Sequence, residues 1–419
     1  AGMAAQPVRY AAYDGRLSDL GGSAPATLTP LISDNWRSHF QWRGIGEMPD
    51  AAEWGDAGAD TLGNILKTRI VSLPNLQRLG LGNIRELSGV RAAPEPIGSY
   101  GKCALKSNGK DTTTGHWEMA GIVLERAFPT FPNGFPAEVI DRFVAETGVP
   151  GVLGNVPASG TEIIKELGEE HLKSGKPIVY TSADSVFQIA AHENTIPIDR
   201  LYEICQIARK LLDGEDKVGR VIARPFVGSS AADFRRTENR HDYAVPPPSG
   251  NLLPILAENG FDVICVGKIA SIYDSVGVTE DLSAKNNDQV IDQTIKALEA
   301  NSNGLIFSNL VDFDMLYGHR RDTEGYAKAL EHFDNRLPEI MENLKDDDLL
   351  IMTADHGNDP TKEGSDHTRE YVPLLLYSKT AKPGVDLGTR RSLSDIGQTI
   401  AENFGFEITA GESFLAEIS

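Results

Sequence analysis

Short apolar runs rich in β-branched residues alternate along the chain with longer segments of helical periodicity. Five runs are typical of buried strands: "KPIVYTSADS", "VGRVIARPFVG", "FDVICVGKIA", "GLIFSNLVDFD" and "LLIMTADHG". Helical spacing of apolar residues occurs between them, as in "DRLYEICQIARKLL", "DQVIDQTIKALEAN" and "GYAKALEHFDNRLPEIMENL". This alternation predicts an α/β fold with a largely parallel sheet that is covered by helices on both faces.

Two stretches rich in proline and turn residues interrupt this pattern and are typical of linkers: "RAFPTFPNGFP" (126–136) and "HDYAVPPPSGN" (241–251). We therefore expect a core domain formed by residues 44–125 and 249–419, with residues 126–248 inserted as a smaller domain. Residues 1–43 form an atypical N-terminal segment.

The composition is that of an ordinary soluble protein, with 40% hydrophobic and 24% charged residues among 419. A formal net charge of −20 argues against nucleic-acid binding, although a local group of cations could still bind a small phosphorylated substrate. No apolar run reaches the roughly 18 residues that span a bilayer, and the N-terminus lacks a secretory pattern. Three widely spaced cysteines favour a reducing cytoplasm. We expect a cytoplasmic monomer or small homo-oligomer with no membrane partner.

Acidic residues and histidines follow two of the apolar runs. "NLVDFDMLYGHRRD" and "TADHGNDPTKEGSDHT" contain five candidate metal ligands: Asp314, His319, Asp355, His356 and His367. Carboxylate oxygen and imidazole nitrogen suit Mn²⁺, Zn²⁺ or Fe²⁺, and the histidines make an all-oxygen Mg²⁺ or Ca²⁺ site a poorer fit. Five ligands exceed what one open catalytic metal needs and suit a pair of metals that stabilises a transferring phosphoryl group.

The segment "SNGKDTTTGHWEMAG" supplies candidate nucleophiles, because Thr112, Thr113 and Thr114 precede a helical pattern. A hydroxyl at a helix N-terminus lies near free backbone N–H groups, which favour a phosphate. Taken alone, an ordinary threonine cap explains the pattern better.

Basic residues concentrate in three further segments, "GRVIARPF", "RRTENRHD" and "CVGKIASIYD". Their side chains are candidates for phosphate binding, although several could be paired with acids on the surface: Arg220, Arg224, Arg235, Arg236, Arg240 and Lys268. Asp184 in "TSADS" stands at a strand end, where its carboxylate could accept sugar hydroxyl hydrogens or simply stabilise a turn.

Together, "GKDTTTGHWE", "YTSADSVFQIAAHE", "GRVIARPFVG", "RTENRHDYA", "NLVDFDMLYGHRRD" and "TADHGNDPTKEGSDHTREYVPLL" resemble phosphopentomutases of the prokaryotic, alkaline-phosphatase-superfamily type. The resemblance runs from about Gly44 to the C-terminus. It implies an alkaline-phosphatase-like α/β core, an inserted α/β cap domain and two Mn²⁺ ions. It also implies interconversion of ribose or deoxyribose 1-phosphate and 5-phosphate, primed by a sugar bisphosphate.

The resemblance further implies roles for individual residues. Thr112 would carry the phosphoryl group. Asp355 and His356 would belong to one metal site, and Asp314, His319 and His367 to the other. Five residues match segments that face the substrate in the family: Asp184, Arg220, Arg224, Arg240 and Lys268.

The N-terminal segment departs from the family pattern. Family members have a strand ending in Asp-Ser just before the "GIG" of Gly44–Gly46, and that Asp is a metal ligand. Here Gln41 takes its place in "ISDNWRSHFQWRGIG", a stretch too polar to predict a central strand. Alternatively, "VRYAAYDG" could be the missing strand, with Asp14 as the ligand and 15–43 looped out, although so long a loop is unusual.

Three functions are compatible with these features. The first is an isomerase, a phosphopentomutase. The second is a metal-dependent phosphohydrolase or a phosphoglycerate mutase, which share the superfamily's metal chemistry. The third is a catalytically impaired sugar-phosphate binder, which the absence of the first metal-site Asp favours.

Overall fold

The computed structural model describes the backbone of residues 36–41 and, with side chains, residues 44–182, 185–213, 217–300, 302–364 and 366–419. The strands are β1 (Trp36–Gln41), β2 (Ser99–Cys103), β3 (Leu153–Pro157), β4 (Ile178–Thr181), β5 (Val186–His192), β6 (Arg220–Val227), β7 (Arg235–Arg236), β8 (His241–Ala244), β9 (Asp262–Val266), β10 (Glu280–Leu282), β11 (Gly304–Asn309), β12 (Leu349–Thr353), β13 (Val372–Ser378) and β14 (Asp386–Arg390).

The α-helices are α1 (Thr61–Thr68), α2 (Pro74–Leu79), α3 (Leu81–Ile84), α4 (Thr112–Met119), α5 (Ala137–Thr147), α6 (Gly160–Ser174), α7 (Ile198–Leu211), α8 (Leu252–Glu258), α9 (Ile269–Ile272), α10 (Asn287–Glu299), α11 (Thr323–Asn343), α12 (Ser394–Asn403) and α13 (Leu415–Ile418). A 3₁₀ turn covers Ala51–Trp54, and a π-helical turn covers Phe313–Gly318. No helix in the described ranges has the length and apolar character needed to cross a membrane.

Among the described residues, eight strands form the larger sheet, in the order β10-β9-β11-β1-β12-β13-β2-β14. The first five strands of this order run parallel to one another, whereas β13 runs antiparallel to both of its neighbours. The predicted α/β class with a largely parallel sheet is therefore confirmed. In a parallel sheet the carboxyl ends of the strands lie along one edge, which is where ligands bind in such folds.

Apolar side chains cover both faces of the larger sheet. Along β11, Leu305 and Phe307 belong to one buried cluster, and Ile306 belongs to the other. The first cluster includes residues of α4, α8 and α12, and the second includes residues of α1, α2, α10 and α11. Because successive strand residues point to opposite faces, a strand covered on both sides can bury apolar residues at consecutive positions, as β11 does.

A second sheet of six strands contains residues 153–244, in the order β3-β4-β5-β6-β7, with β8 also paired to β6. Helices α5 and α7 contribute to the apolar cluster on one face, and α6 contributes to that on the other. The stretch expected to be the second linker, 241–251, begins inside this sheet. His241–Ala244 forms β8 and pairs antiparallel with Arg220–Ala223 of β6, so its backbone groups bond to the edge of that strand.

The expectation that residues before Gly44 are too polar for a central strand is wrong. Trp36–Gln41 forms β1 in the middle of the larger sheet, parallel to β11 on one side and to β12 on the other. Backbone hydrogen bonds from two neighbouring strands hold this segment, so its strand conformation does not depend on an apolar sequence. The alternative strand ending at Asp14 lies outside the described residues.

Candidate active site

Three neighbouring parallel strands, β11, β1 and β12, end at the same edge of the larger sheet. Gln41 is the last residue of β1 and lies level with Asn309 on one side and Thr353 on the other. Asp355 and His356 follow β12 directly. The strand end at which the resemblance requires a metal-binding Asp is therefore occupied by Gln41.

The π-helical turn after β11 brings Asp314 and His319 together. The His319 backbone N–H donates to the Asp314 carbonyl, 3.1 Å away, which is the i to i+5 hydrogen bond of this turn. As a result, His319 Nε2 lies 3.2 Å from Asp314 Oδ2. Turns of this kind are often found at functional sites.

The loop between β12 and β13 folds back on itself and brings His367 to His356. Gly357 and Thr368 form an isolated antiparallel bridge with two backbone hydrogen bonds of 3.1 and 2.9 Å. The imidazole centroids of His356 and His367 are consequently 3.8 Å apart. His367 Nε2 also lies 3.3 Å from Asp314 Oδ1, so the loop joins the two strand ends.

These contacts form a group of donors that fits divalent metal ions. One donor atom from each of Asp314, His356 and His367 lies within 4.8 Å of the others, and Asp355 Oδ2 lies 3.0 Å from His356 Nε2. Oxygen and imidazole donors in this proportion suit Mn²⁺, Zn²⁺ or Fe²⁺. The group of three includes members of both predicted metal sites, and the division of ligands between two ions stays a prediction.

Asp355 is ionised in this environment. Burial by itself would favour the neutral acid, but the neighbouring imidazoles of His356 and His116 hold the pKa of the Asp355 carboxyl well below its usual range. An ionised carboxylate is the form that binds a metal ion.

The candidate nucleophile is the first residue of helix α4. Thr112 follows Asp111, the helix cap, whose carboxylate accepts from the Thr114 N–H at 3.1 Å. Thr112 Oγ1 lies 3.2 Å from His356 Nε2. Gly115 makes this approach possible, because a Cβ at that position would lie 2.0 Å from the Asp355 carbonyl oxygen. The structure thus places the threonine hydroxyl against the group of metal-binding candidates.

Two residues in this region were not identified from the sequence. His116 is fully buried, with Nδ1 2.7 Å from the Thr112 carbonyl oxygen and 3.3 Å from Asp355 Oδ2. Asn358 donates from Nδ2 to Asp314 Oδ1 at 2.6 Å. The four-residue spacing of His116 from Thr112 on one helix was an available signal, because such residues share a face.

A cavity of about 520 Å³ lies between the two sheets and borders part of the candidate site, although Asp355 and His356 do not line it. Thr112, Asp314, His319 and His367 line it on the side of the larger sheet. Four predicted cations also line it: Arg220, Arg224, Arg240 and Lys268. Arg235 and Arg236 do not line it, since both are exposed on β7. Asp184 lies outside the described residues.

Burial, and to a lesser extent the neighbouring positive charges, lower the pKa values of two of these cations. Burial, and secondarily the nearby Arg220 and Arg240, lower the pKa of Lys268 to about 8 despite the opposing effect of Asp314. Burial and Arg240 lower the pKa of Arg224 to about 10. Asp242 binds Arg240 through two hydrogen bonds of 2.7 Å. An anionic ligand would relieve the remaining repulsion, so the cavity favours a phosphate despite the acidic chain.

Comparison with known proteins gives matches that extend over most of the chain. Residues 43–408 match the metalloenzyme superfamily. The chain is 57% identical over 376 residues to the phosphopentomutase of Caldanaerobacter subterraneus subsp. tengcongensis, with 90% of this chain and 95% of that protein covered. The chain belongs to the phosphopentomutase family. A second phosphopentomutase, from Desulfitobacterium hafniense, is 58% identical over 377 residues, with 90% of this chain and 97% of that protein covered.

Among solved structures, phosphoglycerate mutase from Leishmania mexicana is similar with a TM-score of 0.47 at 13% identity, covering 91% of this chain and 97% of that one. The phosphopentomutase resemblance noted in the sequence is thus confirmed by the curated relatives, and the superfamily match supports dependence on a divalent metal.

Proposed function

We propose that this phosphopentomutase-family chain interconverts ribose or deoxyribose 1-phosphate and 5-phosphate through a phosphorylated Thr112. The observation that supports this most directly is the shared cavity, which is lined by Thr112, by Asp314, His319 and His367 of the Asp/His group, and by four cations. The same cavity therefore offers a hydroxyl that can accept a phosphoryl group and cations that can bind a second phosphate of the same sugar.

The transfer conserves atoms and charge. The bond between phosphorus and Thr112 Oγ1 breaks as a bond from phosphorus to the free sugar hydroxyl forms, and the hydroxyl proton replaces the phosphoryl on Oγ1. The product is a sugar bisphosphate. The bisphosphate then reorients within the cavity. Thr112 Oγ1 accepts its other phosphoryl group, and the isomeric monophosphate leaves. The same chemistry explains priming by a sugar bisphosphate.

Two Mn²⁺ ions would be held by the five predicted ligands: Asp314, His319, Asp355, His356 and His367. When bound there, the ions would supply positive charge that stabilises the transferring phosphoryl group and the ionised threonine oxygen. The 3.2 Å between Thr112 Oγ1 and His356 Nε2 supports placing the hydroxyl at this group of ligands.

The distal phosphate would be bound by four cations: Arg220, Arg224, Arg240 and Lys268. On the resemblance alone, we propose that the Asp184 carboxylate accepts hydrogen bonds from sugar hydroxyl groups. Residues 126–248 would act as the cap over the site. A cytoplasmic location in nucleoside catabolism is part of the proposal, and the free, buried state of Cys103, Cys205 and Cys265 supports a reducing compartment.

A second candidate function is an impaired sugar-phosphate binder. It is favoured by Gln41, which ends the central strand level with Asn309 and Thr353. A carboxamide is neutral and binds a divalent ion more weakly than a carboxylate does, so the neighbouring metal site would be short of one negative charge.

Assays of isomerisation and of inorganic phosphate release on Thr112 variants test the proposal. We expect the wild type to form pentose 5-phosphate from ribose 1-phosphate, Thr112→Ala to lose this activity with metal content nearly unchanged, and Thr112→Ser to retain part of it. Full turnover by Thr112→Ala would remove the residue from the mechanism. Release of inorganic phosphate as the main product would identify a hydrolase, and tight sugar-phosphate binding without turnover would identify the impaired binder.

A further inference from the structure

Arg369 is a buried arginine that does not line the cavity but contacts the segment leading to Thr112. Only 3% of the surface of Arg369 is exposed to solvent. Nη1 donates to the carbonyl oxygens of Ser107 and Gly109, and Nη2 to that of Leu105, each at 2.8 Å. Nε donates to Asp50 Oδ2 at 3.0 Å. One guanidinium therefore binds three alternate carbonyls of residues 105–109 and one carboxylate.

The two segments that Arg369 joins each carry part of the site. Residues 105–109 lead directly into α4, which begins at Thr112. Arg369 itself stands two residues after His367, beyond the bridge between Gly357 and Thr368. Its side chain thus connects the segment that supplies the nucleophile to the loop that supplies metal-binding candidates.

A second connection lies beside the first. Asp56 Oδ2 accepts from the Arg369 backbone N–H at 2.9 Å and from Lys110 Nζ at 2.9 Å. Lys110 Nζ also lies 3.1 Å from Asp366 Oδ2. Residues 105–110 are therefore fixed to residues 366–369 through both a guanidinium and an ammonium group.

We propose that Arg369 is a positioning residue that fixes the Thr112 hydroxyl relative to His356 and His367 during phosphoryl transfer. This rests on the proposed function. A planar guanidinium with five N–H donors can satisfy carbonyls at several fixed directions, whereas an ammonium group cannot reproduce that geometry. A displacement of about 1 Å at a nucleophile can cost about 100-fold in rate, even when the change lies outside the reacting groups.

Arg369→Lys tests this role, with Arg390→Lys as a matched control. Arg390 is also largely buried, its side chain 12% exposed, and it binds Asp395 and Glu417 outside the cavity. We expect Arg369→Lys to lower kcat about 100-fold, with KM and Mn²⁺ affinity within about threefold of wild type. Arg390→Lys should lower the thermal midpoint comparably but leave kcat within about threefold, because it acts on stability alone.

Hydrogen exchange of the metal-free protein gives a readout that does not depend on catalysis. Amides of residues 105–112 should exchange faster in Arg369→Lys than in wild type, and at the wild-type rate in Arg390→Lys. Unchanged protection of 105–112, or an unchanged kcat in Arg369→Lys, would overturn the proposal. A wild-type chain that forms no pentose 5-phosphate would refute the proposed function instead, and hydrogen exchange would still decide whether Arg369 holds the segment.

If Arg369→Lys does not fold, Lys110→Met serves as a second variant. It removes only the ammonium connection between Asp56 and Asp366. We expect a kcat lowered about tenfold with unchanged KM, because the guanidinium connection remains. A wild-type kcat in Lys110→Met would count against positioning through this pair of segments.

Discussion

Replacing His116 by leucine would remove a buried imidazole that contacts both Asp355 and the first residue of α4. Nδ1 lies 2.7 Å from the Thr112 carbonyl oxygen and 3.3 Å from Asp355 Oδ2. Both neighbours are acceptors, so Nδ1 carries the hydrogen. Leucine would fill much of the space beside Phe307, whose ring lies 5.9 Å from the imidazole, but it would donate no hydrogen bond.

The expected loss of stability follows from the one N–H that these two acceptors share. A hydrogen bond to a neutral carbonyl contributes about 1 kcal/mol to stability, and one to a carboxylate contributes about 1.5–3 kcal/mol. Because a single donor cannot make both bonds at full strength, we expect His116→Leu to lower the free energy of unfolding by about 1–3 kcal/mol. Because Asp355 would lose a group that orients it, Mn²⁺ affinity should fall about 10- to 100-fold.

Calorimetric titration of the metal-free chain with Mn²⁺ measures this directly. His116→Asn is the matched variant, since its amide nitrogen can take the place of imidazole Nδ1, and it should recover most of the affinity. His332→Asn is the control, because that imidazole is exposed and pairs with Asp288 outside the cavity. Mn²⁺ affinity of His116→Leu within threefold of wild type would refute this role, as would an Asn variant no better than Leu.

Three further predictions concern charge. Gln41→Asp should raise Mn²⁺ affinity and turnover by restoring a carboxylate, and full occupancy of two metals in the unaltered chain would contradict it. Because burial lowers the pKa of Lys268 to about 8, the ammonium is present below that pH. The kcat/KM should then fall about tenfold from pH 7 to pH 9, and a profile unchanged in Lys268→Arg would exclude this cause. His171 accepts a hydrogen bond from the His192 backbone N–H, and burial lowers the pKa of its imidazole. As the pH falls, this imidazole is therefore protonated in the unfolded chain before it is protonated in the folded chain. The contribution of His171 to stability, present above about pH 6.5, should therefore decrease as the pH falls below that value. The thermal midpoints of wild type and His171→Gln should converge at acid pH, and a constant difference between them would contradict this.

The elements of the core could be predicted because their physical cause is local. The five apolar runs became β4, β6, β9, β11 and β12, because runs of mostly apolar residues are typical of strands covered on both faces. The position of Asp314 and Asp355 at one edge was predictable for a related reason. The carboxyl ends of parallel strands meet at the same edge, so polar residues after such strands come close to one another.

Prediction failed where neighbouring strands, not the local sequence, decide the structure. Trp36–Gln41 is polar but lies between β11 and β12, whose backbone groups satisfy its own. Arg235, Arg236 and Arg240 looked equivalent in sequence, yet Arg240 alone among these three lines the cavity. The two-residue strand β7 holds the other pair on its exposed surface.

The amino-acid sequence is sufficient to predict the α/β class, the family and the residue types available for metal and phosphate binding. Which of these residues come into contact depends on the tertiary fold. Thr112 and His356 are 244 positions apart but 3.2 Å from each other. Gly115 permits that approach. His116 contacts Asp355, and Arg369 binds the carbonyl of Ser107, so both residues connect the segment around Thr112 to the loop after β12. The periodicity of apolar residues indicates which face of a helix or strand is buried. Contacts between loops depend instead on how whole helices and strands pack against one another, and no local sequence pattern specifies that packing.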